Sequence, residues 1–314
     1  MLANSLKKWD TIGVISPWNT VQGKTKLLIN NGIKKLESLG FNFIFSKHCF
    51  GIDKYGISSG TPQERAEDLN EMFSDSRIKA IFCTVGGHIT IQLLSLIDYN
   101  TIKKNPKIFL GMSGIDILHL AINSQTELTT FHGSDPKSWR NLELDIDYTW
   151  TNFQDRMITK CKDIPAFEER ICVREGIAEG RILGCNLSSI VKLAGTKYFP
   201  DFTDSIFFLE GRSENVETVL EKLQQLKEIG VFNKIRGIVI GYIYGFQDEE
   251  MIIQNNIKEK YEDIVLDITK EFSFPILKTN DFGHRCPNCY LPIGAKVKID
   301  STNKTIKILE DFLI

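Results

Sequence analysis

One stretch of this sequence has the makings of a nucleophile, the run Gly111-Met112-Ser113-Gly114. It follows the apolar Lys107-Ile108-Phe109-Leu110 and precedes a helical pattern from Ile115 to Asn123. A small-residue turn between a buried strand and a helix can hold a serine in a sharp elbow, with its hydroxyl exposed and backbone N–H groups converging on the same point. Ser113 is therefore the candidate nucleophile, with a plain structural serine as the alternative, since the full elbow pattern places Gly where Ile115 stands. A serine nucleophile needs a base to take its proton and an acceptor to fix the base's tautomer. Of the five histidines, His119 lies in the helix after Ser113, and His48 and His132 follow strand-like runs with no evident acid. His88 follows Gly86-Gly87 and can line a cleft. His284 sits in Asn280-Asp281-Phe282-Gly283-His284, a polar loop beyond a buried strand, and is the candidate base. Glu210, after the apolar Ile206-Phe207-Phe208-Leu209, is the candidate acid, or else a strand-ending charge in water. The order Ser, acid, His is that of α/β hydrolases. The Gly86-Gly87 backbone offers either an oxyanion site or a tight turn.

Cys286-Pro287-Asn288-Cys289 beside His284 raises zinc binding or a redox pair. A structural zinc site wants a fourth ligand and commonly a second C-x-x-C, and the sequence shows neither. No metal is expected, and both thiols are expected to be bystanders. Neither G-x-x-x-x-G-K nor G-x-G-x-x-G occurs, so no phosphate-gripping loop and no cofactor are expected.

The elements that must position these residues follow from periodicity. Thr11 to Ser16 reads as a strand and Lys24 to Leu39 as a helix, then Phe41 to Phe45 as a strand. Thr61-Pro62-Gln63-Glu64 starts another helix, with Thr61 as cap, Pro62 in the first turn and Glu64 completing a capping box. Lys79 to Val85 is too apolar for a half-exposed strand and runs through Gly86-Gly87 toward a helix ending near Leu96. The Ser113 unit repeats the pattern, and Leu128 to Phe131 adds a strand. This alternation predicts an α/β fold with a mostly parallel sheet flanked by helices over residues 1–135. Residues 136–175, with Trp139, Tyr148, Trp150 and Phe153 and no clear period, read as a connecting segment. Residues 176–314 read as a mixed α/β C-terminal domain carrying Glu210 and His284. Within it, Ser205 to Leu209, Gly237 to Ile240 and Pro275 to Lys278 are expected strands. Asn215 to Ile229 and Asp263 to Phe272 are expected helices, and Ala295 to Ile299 with Thr305 to Leu309 an antiparallel hairpin.

A chain of 314 residues with a net charge of only −2 and interspersed signs offers no field for nucleic acid or an anionic membrane. A small peptide or peptide-like substrate fits better, and the chain is compatible with a homodimer. Met1 to Asp10 has lysines but no long apolar run after them, and no segment reaches about 18 apolar residues, so a cytoplasmic location is expected. The seven cysteines, odd in number and partly inside apolar runs, read as reduced residues.

Several stretches, taken in order, resemble the serine peptidase family of LD-carboxypeptidases and microcin C immunity peptidases over essentially the whole chain. They are Thr84-Val85-Gly86-Gly87 with Leu96-Ile97-Asp98-Tyr99, Gly111-Met112-Ser113 with Leu118-His119-Leu120-Ala121, and Thr130-Phe131-His132-Gly133. The run Gly180-Arg181-Ile182-Leu183-Gly184-Cys185-Asn186-Leu187 follows, then Phe208-Leu209-Glu210, Asp281-Phe282-Gly283-His284 and Leu291-Pro292-Ile293-Gly294. The resemblance implies a Ser113, His284, Glu210 triad, oxyanion donors at the Gly87 and Gly114 N–H groups, and a smaller, barrel-like second domain with the site in the cleft between the two. It implies a serine carboxypeptidase cutting an amide next to a terminal carboxylate, with a muramoyl tetrapeptide of peptidoglycan recycling as leading substrate. The alternatives are a peptidase that detoxifies aminoacyl-nucleotide compounds, and a catalytically silent binding homologue. Two departures stand out. The family usually has Asp after the nucleophile, where this chain has Gly114, and the segment between Gly133 and Gly180 is shorter than in the nucleotide-cleaving peptidases.

Overall fold

The structure, a computed structural model, describes residues 1–134, 146–212 and 215–314. The boundary expected at residue 135 and the aromatic Trp139 lie outside these. In chain order the strands are β1 (Thr11–Ile15), β2 (Asn42–Phe45), β3 (Ile78–Cys83), β4 (Ile108–Gly111) and β5 (Thr130–His132). Then come β6 (Ile171–Arg174), β7 (Ile177–Asn186), β8 (Ser205–Gly211), β9 (Gly237–Ile243) and β10 (Ile276–Gly283), and last β11 (Leu291–Ile293), β12 (Lys296–Asp300) and β13 (Thr305–Ile308).

They form two sheets. The first has the order β11-β5-β4-β3-β1-β2, parallel except for β11. The second, β13-β12-β7-β8-β9-β10-β6, is parallel at its centre and antiparallel at both sides, and curls into half a barrel. The central strands β3, β4 and β8 are almost wholly buried runs, as strands covered on both faces must be. Helices supply that cover because their apolar residues recur on one face. Gly23–Ser38 buries Ile29, Ile33 and Leu36, and Val216–Glu228 buries Val219, Leu223 and Leu226.

The start of Pro62–Ser74 shows how locally the chain specifies an element. Thr61 Oγ1 accepts the Glu64 N–H at 3.2 Å while Glu64 Oε2 accepts the Thr61 N–H at 2.8 Å, and such a cap stabilises a helix by about 1 kcal/mol. The late antiparallel hairpin is likewise present as β12 and β13. Other elements differ from expectation. After Gly86-Gly87 the chain forms only a short 3-10 turn, Thr90–Leu93, because residues 86 and 87 lie flat against the elbow instead of starting a helix. The last long helix is Tyr261–Ile268, cut short where Arg174 donates to the Thr269 carbonyl at 2.9 Å. β10 runs on to Gly283, so Asn280 to Gly283 is strand and not loop.

Two features tie the sheets together. The helix Ile146–Met157 places Phe153 against Phe41, Phe82 and Tyr290, while β6, a little further on, joins the second sheet. Beyond His284 the chain returns to the first sheet, where β11 pairs with β5 and Leu291 lies opposite His132. Among the described residues no helix is long and apolar enough to cross a membrane.

Candidate active site

β4 ends in Gly111, and Met112 is still extended (φ −152°, ψ 176°). Ser113 then turns to φ +67° before the 3-10 turn Ser113–Ile115 leads into the helix Asp116–Thr126. A serine in the left-handed region is strained, typically by about 1 kcal/mol or more. The surroundings hold it there through backbone. A Cβ on Gly86 would lie 2.7 Å from both Gly114 N and Ser113 Cβ, and one on Gly114 would lie 1.8 Å from Gly87 O and 2.3 Å from Gly87 N. The Gly86-Gly87 turn thus sits directly on the elbow, and no side chain fits between them. The Asp usual in the resembled family would have to push this turn away. Trp18 closes the outer side, since a Cβ on Gly87 would fall 1.7 Å from its ring, and His88 meets that ring edge-on at 5.7 Å.

Glu210 is inside β8, fully buried and opposite Asn186 in register; the reading as a solvated strand end is corrected here. His284 Nδ1–H donates to Glu210 Oε2 at 2.6 Å. Burial alone would raise the Glu210 carboxyl, but His284, then His132 and Asn186, outweigh it and hold it below the ordinary range. The backbone under His284 needs glycine: Gly283 has φ +132°, and a Cβ there would lie 2.6 Å from Tyr242 O. Around it, Asn288 accepts the Gly283 N–H at 3.2 Å and donates to the Gly283 and Cys286 carbonyls. Asp281, fully buried, accepts from Arg170 and from the Phe167 N–H, each at 2.7 Å. Asp281 is therefore an anchor of the strand that presents His284.

The structure brings His284 and Glu210 together, and Ser113, Gly87 and Gly114 together. Ser189, in the helix Leu187–Ile190 that follows Asn186, links the two groups by donating to the Ser113 carbonyl at 3.1 Å. Among the described residues neither the Ser113 hydroxyl nor His284 Nε2 makes a hydrogen bond. Such bonds are commonly loose in unliganded sites and tighten with substrate. Other sequence candidates fall elsewhere. His119 is buried on the Gly111 carbonyl at 3.0 Å and pushed down to about 3 by burial. His48 does have an acid, Asp68 at 2.9 Å, supplied by the capped helix.

Two features escaped the sequence. His132 pairs with Asp116 at 2.8 Å, both fully buried, and nothing in the sequence marks Asp116 as its partner. Lys192 and Arg212 approach His88, whose pKa is lowered by burial and then by these two cations. Lys192 is itself lowered by burial and by Lys222. Among the described residues neither Lys192 nor Arg212 has an ion pair. No group of three or more His, Cys, Asp or Glu suited to a metal ion occurs among the described residues. The Cys286 and Cys289 thiols are buried and pushed up, Cys289 to about 12.

Residues 12–133 match a family model described as the LD-carboxypeptidase N-terminal domain, and residues 179–299 one described as the LD-carboxypeptidase C-terminal domain. The probable murein peptide carboxypeptidase of Bacillus subtilis (strain 168) is 31% identical over 310 residues, covering 97% of this chain and 93% of that protein. The microcin C7 self-immunity protein MccF of Escherichia coli is 28% identical, covering 100% and 97%. A solved structure of MccF in complex with aspartyl sulfamoyl adenosine matches with a TM-score of 0.89 at 26% identity, over 100% of both chains. The MccF-like protein of Bacillus anthracis str. Ames gives a TM-score of 0.84 at 31% identity, covering 98% and 99%.

Proposed function

The chain belongs to the LD-carboxypeptidase family and is a peptidase; on that premise we propose that Ser113, His284 and Glu210 are its catalytic triad. The observation that carries the reading is the left-handed Ser113 elbow, with the buried Glu210 paired to the partly exposed His284 across the same seam between the sheets. In this reading Ser113 Oγ attacks the scissile carbonyl as His284 Nε2 takes its proton. Glu210 fixes the tautomer with Nδ1–H inward and stabilises the imidazolium that forms. The Gly87 and Gly114 N–H groups receive the oxyanion, and His284 passes the proton to the leaving amine. Water then cleaves the acyl-enzyme by the same route in reverse. Lys192 and Arg212 supply the positive charge that recognises a terminal carboxylate, while His88, with its lowered pKa, stays neutral beside them. A carboxypeptidase needs that charge, since it must tell a chain end from an internal peptide bond.

The leading substrate is a muramoyl tetrapeptide, supported by the name of the Bacillus subtilis relative. Incubation with muramoyl tetrapeptide, followed by liquid chromatography, is expected to release the terminal D-alanine, with none released by Ser113→Ala. The TM-score of 0.89 to MccF with aspartyl sulfamoyl adenosine favours a second reading, cleavage of acyl-sulfamoyl adenosines. Turnover of that compound alone would replace the first substrate by the second. A serine-directed fluorophosphonate that fails to label the wild type, with ligand binding retained, would leave a silent binding protein.

A further inference from the structure

A second imidazole–carboxylate pair lies behind the first, out of contact with solvent. His132 Nδ1 is 2.8 Å from Asp116 Oδ1, and both side chains are 0% exposed. The other Asp116 oxygen accepts the Asn186 N–H at 2.8 Å, and Asn186 is the register partner of Glu210. The elbow helix is thus joined to the strand that carries Glu210 through one buried carboxylate. Phe208 and Phe282 pack edge-on against the His132 ring at 5.2 and 6.0 Å. His132 Nε2 and Glu210 Oε1 are buried without a hydrogen bond and feel each other through charge.

The groups facing His132 decide its state. Burial works against a charged ring, but Asp116 and then Glu210 outweigh it, and the His132 pKa is raised. His119, equally buried and without a carboxylate, is pushed down to about 3 and is neutral. Burial pushes Asp116 up, yet it accepts an N–H on each oxygen, which favours its ionised form. The Cys185 thiol beside Asp116 and Glu210 is pushed well up and stays protonated. His284 meets the cluster only through Glu210.

We propose that His132 is a positioning residue: held as an imidazolium by Asp116, it is the counter-charge that keeps Glu210 ionised beneath His284. The inference rests on the peptidase reading of Ser113, His284 and Glu210. With His132 charged, the Asp116, His132 and Glu210 cluster is left with a single negative charge, which is neutralised when His284 takes the Ser113 proton. With His132 uncharged, two buried carboxylates face His284, and their added negative charge favours the protonated ring over the free base that takes the Ser113 proton.

The test is the pH dependence of fluorophosphonate labelling of Ser113. In His132→Gln the acid limb is expected to move up by about one unit, so that labelling at a fixed pH on that limb falls about tenfold. In the double variant His132→Gln with Asp116→Asn, which removes both charges, the limb is expected to return toward wild type. A ring that only fills space would leave the limb where it is in the single variant, and the double variant would label no faster than the single; either result overturns the inference. Ring 15N resonances of the wild type give a measurement that needs no variant. A His132 protonated on both nitrogens at pH 7 supports the assignment, and a neutral ring overturns it. Absence of labelling in the wild type overturns the peptidase reading instead, so the two failures are distinguishable.

Discussion

The two walls of the site are built from different materials. On the elbow side the working parts are backbone: Ser113 in a left-handed turn, with Gly86 and Gly87 pressed on Gly114 so closely that a Cβ would fall 1.8 Å from Gly87 O. On the other side they are buried charges, with Glu210 at 0% exposure under His284 and His132 against Asp116. The first wall is set by shape, so it tolerates no added atom and responds little to pH. The second is set by electrostatics, so it accepts isosteric changes at the cost of its titration behaviour.

The largest effect that tests this contrast is at Ser113, the proposed nucleophile. Ser113→Ala is expected to lower kcat by about a thousandfold or more and to abolish fluorophosphonate labelling. Ser113→Gly is expected to lose the same activity while gaining about 1 kcal/mol of stability, because glycine adopts φ +67° without strain. A glycine variant that melts below wild type would show that shape does not strain this wall. The next effect is at Gly114. Gly114→Ala must displace the Gly87 backbone, and loss of one oxyanion donor typically costs about a hundredfold in kcat. The loss should be the same at every pH where wild type is active. Full kcat in this variant would remove Gly87 and Gly114 from the oxyanion site.

The same contrast explains how much could be read from the sequence. The elbow wall was legible because its requirements are local. A buried strand, a run of small residues and a helix at Ile115 to Asn123 predict a turn, and the capping box at Thr61 was read from four consecutive residues. The charged wall was not, because its pairs are made by tertiary packing. Asp116 lies three positions past Ser113 and faces His132 only because β5 pairs with β4 beside the elbow helix. Glu210 was legible as the candidate acid, but its burial was not, because it depends on the strands at either side. His48 showed no acid until the Pro62–Ser74 helix placed Asp68 against it. His284 itself was legible as a candidate, but the strand character of Asn280 to Gly283 was not, since its polar residues Asn280 and Asp281 are satisfied by Gln247 and Arg170 from distant parts of the chain.

Smaller in size is the effect of pH on stability, to which the charged wall contributes at both ends of the range. Glu210 is lowered in the folded protein, so its contribution is complete above the ordinary glutamate pKa of about 4.3 and is lost as pH falls through its depressed value. His132 is raised, so its contribution is complete below about 6.5 and is lost as pH rises through its elevated value. Thermal melting from about pH 2 to 9 should therefore sag at both ends. In His132→Gln the alkaline sag should shrink, and the acid one should shrink less, because His284 and Asn186 still hold Glu210 down. An unchanged alkaline slope would mean that His132 is uncharged in the folded state.

The smallest effect on turnover is expected at Cys286 and Cys289, which lie two and five positions after His284 and belong to neither wall. A nucleophilic or metal-bound cysteine must ionise readily, whereas both thiols are pushed up by burial. Their service is to pack the loop that Asn288 ties together through Gly283 and Cys286. The double variant Cys286→Ser, Cys289→Ser is thus expected to melt earlier, since two hydroxyls enter an apolar site at roughly 1 kcal/mol or more each. Turnover per folded molecule should stay close to wild type, and chelators should leave it unchanged. Stoichiometric zinc in metal analysis, or activity removed by a chelator and restored by zinc, would make His284 a ligand instead of a base. The charged wall would then be a metal site.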